Sequence, residues 1–511
     1  MLRRLWQRSN ASARHDREDG SSPLGVRVPK AWRSWLGFVI VNVLLAGYYG
    51  YAFVTPVSSV RTSLLPGKTT HGHYQIEMAC NQCHASADAE IASSGDVLQD
   101  ACVRCHGEAL DEIGDTHPAK KFNDPTNAAL LSVLDAQKCI TCHREHVPEQ
   151  TSAMGLTVPT DYCWHCHQDV AESRPSHEGM AFDSCATAGC HNYHDNRALY
   201  EKFLDNHFGE PDVFEDATLP SRTRTSAHEM LARELPVDAP KNWGATLSES
   251  HRAAIVSDWR ETVHAAAGVG CQDCHRVESG MVRATDAVWS DAVALETCSG
   301  CHASQADTFL AGKHGMRLAA GLSPMTPEMA RLRMRSLDSI GSKASDSGSM
   351  THLDAHPGDP AHRQLTCNAC HAGHRFDTSH AAVDACLNCH ADEHSLAYRD
   401  SAHAELWVRS RRGSVAESTG VSCASCHMPR LEDRSGVTVS HNQSGFLRPS
   451  DTMAREVCGH CHGLEFSLSS LADPDCVGGC FSVSPATRNE SVRMAHEHFE
   501  SRRKRRSRPS P

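Results

Sequence analysis

The sequence predicts a mainly α-helical chain with extensive coil. Short helical turns pack around groups that the chain attaches to itself, and one membrane-spanning helix leads them. Three observations predict this. One five-residue pattern, C-x-x-C-H, recurs through most of the 511 residues. Aromatic residues make up only 6% and mean hydropathy is −0.44, too little apolar material for a large side-chain core. Residues 34–60 contain no charged side chain, although the chain as a whole is 22% charged.

The charge-free stretch is the first element. Its apolar heart, WLGFVIVNVLLAGYYGYAFV (35–54), is about 20 residues long, enough to cross a bilayer as a helix. Trp35 and the cluster Tyr48, Tyr49 and Tyr51 suit the two interfaces. Residues 1–34 hold eight Lys and Arg against three Asp and Glu, so this basic N-terminus is expected to stay in the cytoplasm. A cleaved signal peptide is the alternative. The n-region is long for one and no clear A-x-A site follows, so the reading is an uncleaved anchor over 35–55 in the cytoplasmic membrane. A linker (56–70) follows, and everything from about Arg61 onward is expected in the periplasm.

The repeated motif comes next. C-x-x-C-H places paired thiols at Cys80 and Cys83, Cys102 and Cys105, Cys139 and Cys142, Cys163 and Cys166, and Cys271 and Cys274. It does so again at Cys298 and Cys301, Cys367 and Cys370, Cys386 and Cys389, Cys423 and Cys426, and Cys458 and Cys461. A widened version, CATAGCH, adds Cys185 and Cys190. The eleven motifs consume 22 of the 24 cysteines. His is 35 of 511 residues, so chance would put it after a given Cys about one time in fifteen. Zinc needs four ligands in a tetrahedron and has no use for a His locked behind every second Cys. A redox dithiol needs no His there either. Haem c needs all three residues: two thiols for thioether bonds to the macrocycle and an imidazole for the iron. The proximal ligands are then His84, His106, His143, His167, His191, His275, His302, His371, His390, His427 and His462. Eleven covalent haems are expected over 80–462, about 35 residues each. That is too few for a private domain each, so the haems must pack against one another, which permits electron transfer between irons.

Uneven motif spacing marks the domains. Five motifs fall in a pentahaem domain (71–207), and six in a hexahaem domain (261–495). Between them lies a Pro-rich, acidic connector (208–260) with one short helix expected at SAHEMLARE. The stretch SPMTPEMARLRMRSLDSI (323–340) has helical spacing, and its Met residues read as core packing rather than iron ligands. GSKASDSGSM (341–350) reads as a flexible loop. The basic tail (496–511) ends in SRRKRRSRPSP and reads as a disordered, solvated end. Its sharper reading is a hook for anionic lipid or an acidic partner. Cys476 and Cys480 are left over, with no His after either; a local disulfide, a degenerate haem site and two free thiols are the readings. Net charge is −12 before any haem propionates, and nothing indicates nucleic-acid binding.

Eleven proximal histidines leave 24 of the 35. His15 lies on the wrong side of the membrane, His496 and His498 lie near the tail, and His165 and His460 sit inside motifs. The 19 that remain are enough to close every iron with a second imidazole. The distal candidates in the first half are His73, His117, His146, His177, and His194 or His207. In the second half they are His264, His314, His374, His394, His403 and His441. His71, His228, His251, His352, His356, His362 and His380 are reserves. Two neutral imidazoles per iron give low-potential centres suited to electron transfer.

Two resemblances follow from these motifs. The first half, with CITCHREHVPE, DYCWHCHQDV and CATAGCHNYHDNRALY, resembles small multihaem cytochromes of the c3/c7 type. Residues 260–465 string together CSGCH…GKHG, CNACHAGHRFD, CLNCHADEH…SAHAELW and CASCHMPR…SHNQ. That order is similar to the superfamily of hydroxylamine oxidoreductase, pentahaem nitrite reductase and octahaem tetrathionate reductase. The resemblance implies haem-based redox chemistry of small nitrogen or sulfur compounds. Two of its catalytic devices are missing: no C-x-x-C-K motif is present, and no Tyr follows Tyr398 to cross-link a haem.

Two functions remain open at this stage. The first is a membrane-anchored electron conduit between the quinol pool, a quinol dehydrogenase or another redox partner protein and a periplasmic acceptor. The second is a reductase or oxidase of a small nitrogen or sulfur compound at one open haem in the second half. Arg375 and Arg430 are its candidate anion-holding residues, although a solvated surface role is the plainer reading for each.

Overall fold

In the computed structural model, the described residues are 30–54, 65–84, 96–114, 122–151, 155–159, 161–174, 177, 193–195, 199–221, 237–241, 243–244, 247–277, 288–291, 293–326, 364–375, 377–434, 436–447 and 450–506. Two compact units divide the chain, residues 1–64 and 65–511. The first contributes one helix, α1 (Lys30–Val54). Its window Ser34–Tyr51 has a mean hydropathy of 1.3 and no buried side chain, and it is long and apolar enough to cross a membrane.

The second unit is short helices joined by coil. Its principal helices are α2 (Cys80–His84), α3 (Val97–Ile113), α4 (Glu201–Asn206), α5 (Glu249–Arg260), α6 (Cys271–His275), α7 (Ala303–Ala311), α8 (Ala402–Arg411) and α9 (Cys423–His427). They are followed by α10 (Ser450–Glu456), α11 (Leu464–Ala472), α12 (Pro474–Gly478) and α13 (Ser491–Arg506). Side-chain caps start several of them. Asp96 accepts from the Leu98 and Gln99 amides at the head of α3, which stops at Gly114 with φ +77°. Ser422 and Ser425 exchange reciprocal bonds at the head of α9, the capping-box arrangement. Strand content is slight. β1 (Arg276–Val277) pairs antiparallel with β2 (Val288–Trp289), and β3 (Arg430–Asp433) with β4 (Gly436–Val439).

Buried side chains gather in small clusters. One joins Leu199 and Leu204 to Ala454, Leu464, Leu468, Val492 and Ala495, so the segment after the fifth motif packs on helices around the last. Another holds Val383, Tyr398, Ala404 and Cys480, and the Tyr398 hydroxyl donates to the Val421 carbonyl at 2.8 Å. Met325 is buried, while 327–340, the SAHEMLARE segment and 341–350 lie outside the described residues.

The C-terminus differs from the expected disordered end: residues 491–506 form α13. Intrinsic charge pattern is overridden by packing. Val492 and Ala495 are fully buried, His496 Nδ1 meets the Asp205 carboxylate at 3.0 Å, and its ring stacks on Phe208.

Asp451 in α10 is 1% exposed, and neither carboxylate oxygen has a hydrogen-bond partner among the described residues. Burial pushes its pKa up to about 6, against the Arg455 charge, 3.6 Å away. The ordinary value is about 4, so the native state holds a proton that the unfolded chain has already lost. Native stability therefore falls as pH rises from about 4 to about 6, by up to ~3 kcal/mol. Asp451→Asn is expected to raise the guanidinium midpoint relative to the unmodified chain at pH 7.5, with the difference gone near pH 4. Equal differences at both pH values would refute the assignment.

Candidate haem sites: paired histidines on motif turns

Each motif spans about one helical turn, which brings residues i, i+3 and i+4 to one face. The motif His amide donates to the first Cys carbonyl at 2.9 Å in the turns at Cys139, Cys298, Cys367, Cys386 and Cys458. Both thiols and the imidazole therefore leave the backbone together. Ten of the eleven motifs lie within the described residues; Cys185, Cys190 and His191 lie outside.

Among the described residues, nine motif histidines face a second histidine drawn from the distal candidates. Ring centroids stand 5.9 Å apart for His73 and His106, 6.4 Å for His84 and His146, and 6.3 Å for His143 and His194. They stand 6.1 Å apart for His264 and His302, 5.7 Å for His275 and His374, and 6.0 Å for His314 and His390. For His371 and His441 the distance is 6.2 Å, and for His394 and His427, and His403 and His462, 6.1 Å. Two imidazoles ligating one ion from opposite sides, at about 2 Å per metal–nitrogen bond, would put their centroids about 6 Å apart. The nine pairs fit that spacing. In the His275–His374 pair the two Nε2 atoms face each other at 3.5 Å.

The opposite ring nitrogen is anchored. Nδ1–H of His143, His275 and His462 donates to the carbonyls of Gly155, Ser290 and Asp212 at 3.0, 2.7 and 2.8 Å. On the facing histidines, Nδ1–H of His146, His394 and His441 donates to the carbonyls of Gly67, Val477 and Val439 at 2.8, 2.5 and 3.0 Å. A carbonyl can only accept, so these bonds set the tautomer and leave the Nε2 lone pair for a metal. A Cβ on Gly67 would run into the His146 carbonyl, which explains the glycine there. His73 Nδ1 meets Glu145 at 2.5 Å. Burial would raise the Glu145 carboxyl, but bonds from His73 and Thr70 outweigh it and hold it at about 2.

Burial, with the facing ring adding repulsion, lowers His314, His371 and His403 to about 4. The same causes lower His106, His143, His264 and His427, and burial lowers His441. Neutral imidazoles are what ligation requires.

The motifs also line up. Cys102 lies beside Cys139, Cys298 beside Cys367, and Cys386 beside Cys423. Cys83 lies near Cys105, Cys142 near Cys163, Cys274 near Cys298, Cys370 near Cys389, and Cys426 near Cys458. Two runs in chain order result, one through Cys80, Cys102, Cys139 and Cys163, the other from Cys271 to Cys458. Arg317 donates to the Gln75 carbonyl at 2.8 Å and Lys313 to His71 Nδ1 at 3.4 Å, so the first motif's neighbourhood abuts the segment that carries His314.

His177 lies near the motif histidine His167; burial lowers its pKa, with Glu201 opposing and Arg174 and His167 adding to the fall. His207 turns Nδ1 to Glu210 at 2.7 Å and lays its ring against Phe203. His71 packs near Tyr74, His251 bonds Ser248, and His380 pairs with Asp384. His117, His228, His352, His356 and His362 lie outside the described residues. Arg430 donates to the Pro220 carbonyl at 3.1 Å beside a small cavity lined also by Ser425, Glu456 and His460, and Arg375 is exposed. Cys476 and Cys480 are free thiols rather than a disulfide, with Sγ atoms turned to Val483 and His394 respectively. The sequence does not signal which histidine serves which motif, because partners are up to 99 residues apart, as for His275 and His374.

The run of paired histidines in the first half coincides with a known family. Residues 72–168 match cytochrome c3. The cytochrome c3 segment begins just before His73 and closes just after the motif at His167, so it takes in four C-x-x-C-H turns. Haem c is the cofactor that a cytochrome c3 domain implies. No curated protein and no solved structure matches the chain.

Proposed function

We propose that the chain is a membrane-anchored, periplasmic undecahaem cytochrome that passes electrons along packed bis-histidine haems. It would run between the quinol pool, a quinol dehydrogenase or another redox partner protein and a periplasmic acceptor. The nine histidine pairs carry this reading, because a site closed on both faces exchanges electrons without binding substrate. Haem c, when bound, supplies an iron that cycles between two oxidation states. The chain's residues do the rest. Motif thiols would fasten the macrocycles, and the facing imidazoles would hold the irons. Carbonyl-anchored Nδ1–H groups hold each ring in one orientation and raise its basicity. The two runs of adjacent motifs supply the order of transfer. The apolar helix α1, behind a basic N-terminus, supports an anchor with the haem-bearing unit across the cytoplasmic membrane.

The runner-up is a reductase or oxidase with one open haem, as the likeness of residues 260–465 to the hydroxylamine oxidoreductase superfamily implies. EPR and visible spectra of the holoprotein, with and without nitrite, hydroxylamine or carbon monoxide, separate the two. The conduit requires low-spin haems alone and no ligand binding. A high-spin haem that takes up ligand would overturn it in favour of the enzyme.

A further inference from the structure

Cys476 and Cys480 belong to no C-x-x-C-H turn. α12 and the turn that follows it lie against the site formed by His394 and His427. Because Nδ1–H of His394 donates to the Val477 carbonyl, Nε2 is the nitrogen left to ligate. Cys480 Sγ lies 3.9 Å from that same Nε2. The thiol is 9% exposed and has no solvent role to play. Its turn holds two consecutive non-glycine residues in the left-handed region, Cys480 at φ +47° and Phe481 at φ +58°. The Phe481 ring stands 6.5 Å from His394 and 6.4 Å from His403, so the turn is seated against two distal imidazoles. A small apolar residue would fill the same space, whereas a thiol at this place puts a metal-binding sulfur beside the ligating nitrogen.

We propose that Cys480 is a second distal ligand for the haem held by Cys423, Cys426 and His427, exchanging with His394 at one axial position. The proposal rests on the reading of that motif as a haem site. The exchange breaks one iron–nitrogen bond and forms one iron–sulfur bond. The thiol proton passes to the freed Nε2 of His394, and no electron is gained or lost. An anionic thiolate is a stronger donor than imidazole and lowers the potential, so this point of the run acquires two settings.

The test uses full-length holoprotein. In His394→Ala the haem at Cys423 is expected to stay low-spin, with a thiolate-type EPR signature. In the His394→Ala, Cys480→Ser double variant one haem's worth of signal becomes high-spin and binds carbon monoxide. A high-spin haem already present in His394→Ala overturns the proposal, as does a Cys476–Cys480 disulfide found by non-reducing peptide mapping. Mass analysis of the peptide bearing Cys423 and Cys426 keeps the two readings apart. Absence of haem from that peptide in the unmodified chain defeats the haem-site reading itself; haem present with a high-spin His394→Ala defeats only the exchange. Should His394→Ala fail to retain its haem, Cys480→Ser alone is read: a second low-spin species in the unmodified chain must vanish, and identical spectra overturn the proposal.

Discussion

Replacing Cys298 and Cys301 together by alanine is expected to yield a chain with one haem fewer and a broken redox run. Cys298 lies beside Cys367 and near Cys274, so its motif stands between those at Cys271 and Cys367. Thioether bonds from these two thiols would hold this haem in place. Electrons entering at the Cys271 end would then have to cross the gap. The rate of reduction of the haems beyond it should fall by tenfold or more, equivalent to at least ~1.4 kcal/mol of barrier. Haem per chain, measured by intact mass, and stopped-flow reduction through a partner bound at one end check both halves of the expectation. A full haem complement would refute the assignment of the motif, and an unchanged rate would refute the order of the run.

His314→Ala should open one haem, while His207→Ala should open none. His314 faces His390 at 6.0 Å, and burial holds its imidazole neutral. Its backbone is tightly gripped, since a Cβ on Gly315 would run into the Phe309 carbonyl, and one on Gly312 would crowd Asn442 and Gln443. One high-spin haem that binds carbon monoxide is the expected EPR and visible signature. His207, by contrast, faces no motif histidine among the described residues and lays its ring against Phe203. A high-spin haem in His207→Ala would instead make it a ligand, with its motif partner among the residues outside those described.

The sequence by itself determined what is local. The attachment turns could be read because thioether bonds and the proximal imidazole require Cys, Cys and His on one helical face, a constraint that acts within five residues. The apolar helix over 30–54 was legible for a similar reason, since burial in lipid acts on a continuous stretch. The scarcity of aromatics foretold small side-chain clusters. Only the tertiary structure decided which histidine faces which motif. Among the described residues nine of the distal candidates are seen facing a motif ring, but His73 faces His106 while His146 faces His84, a crossing that spacing does not encode. His194 sits three residues after one motif histidine, His191, and faces another, His143. Such pairs are set by how separate segments pack, and so is the tail. Its charge pattern reads as solvated coil, yet burial of Val492 and Ala495 against the segment 199–204 turns it into a helix. The thiol of Cys480 shows the same division: its presence is a matter of sequence, and its place beside His394 Nε2 is a matter of one strained turn meeting a ring 86 residues away.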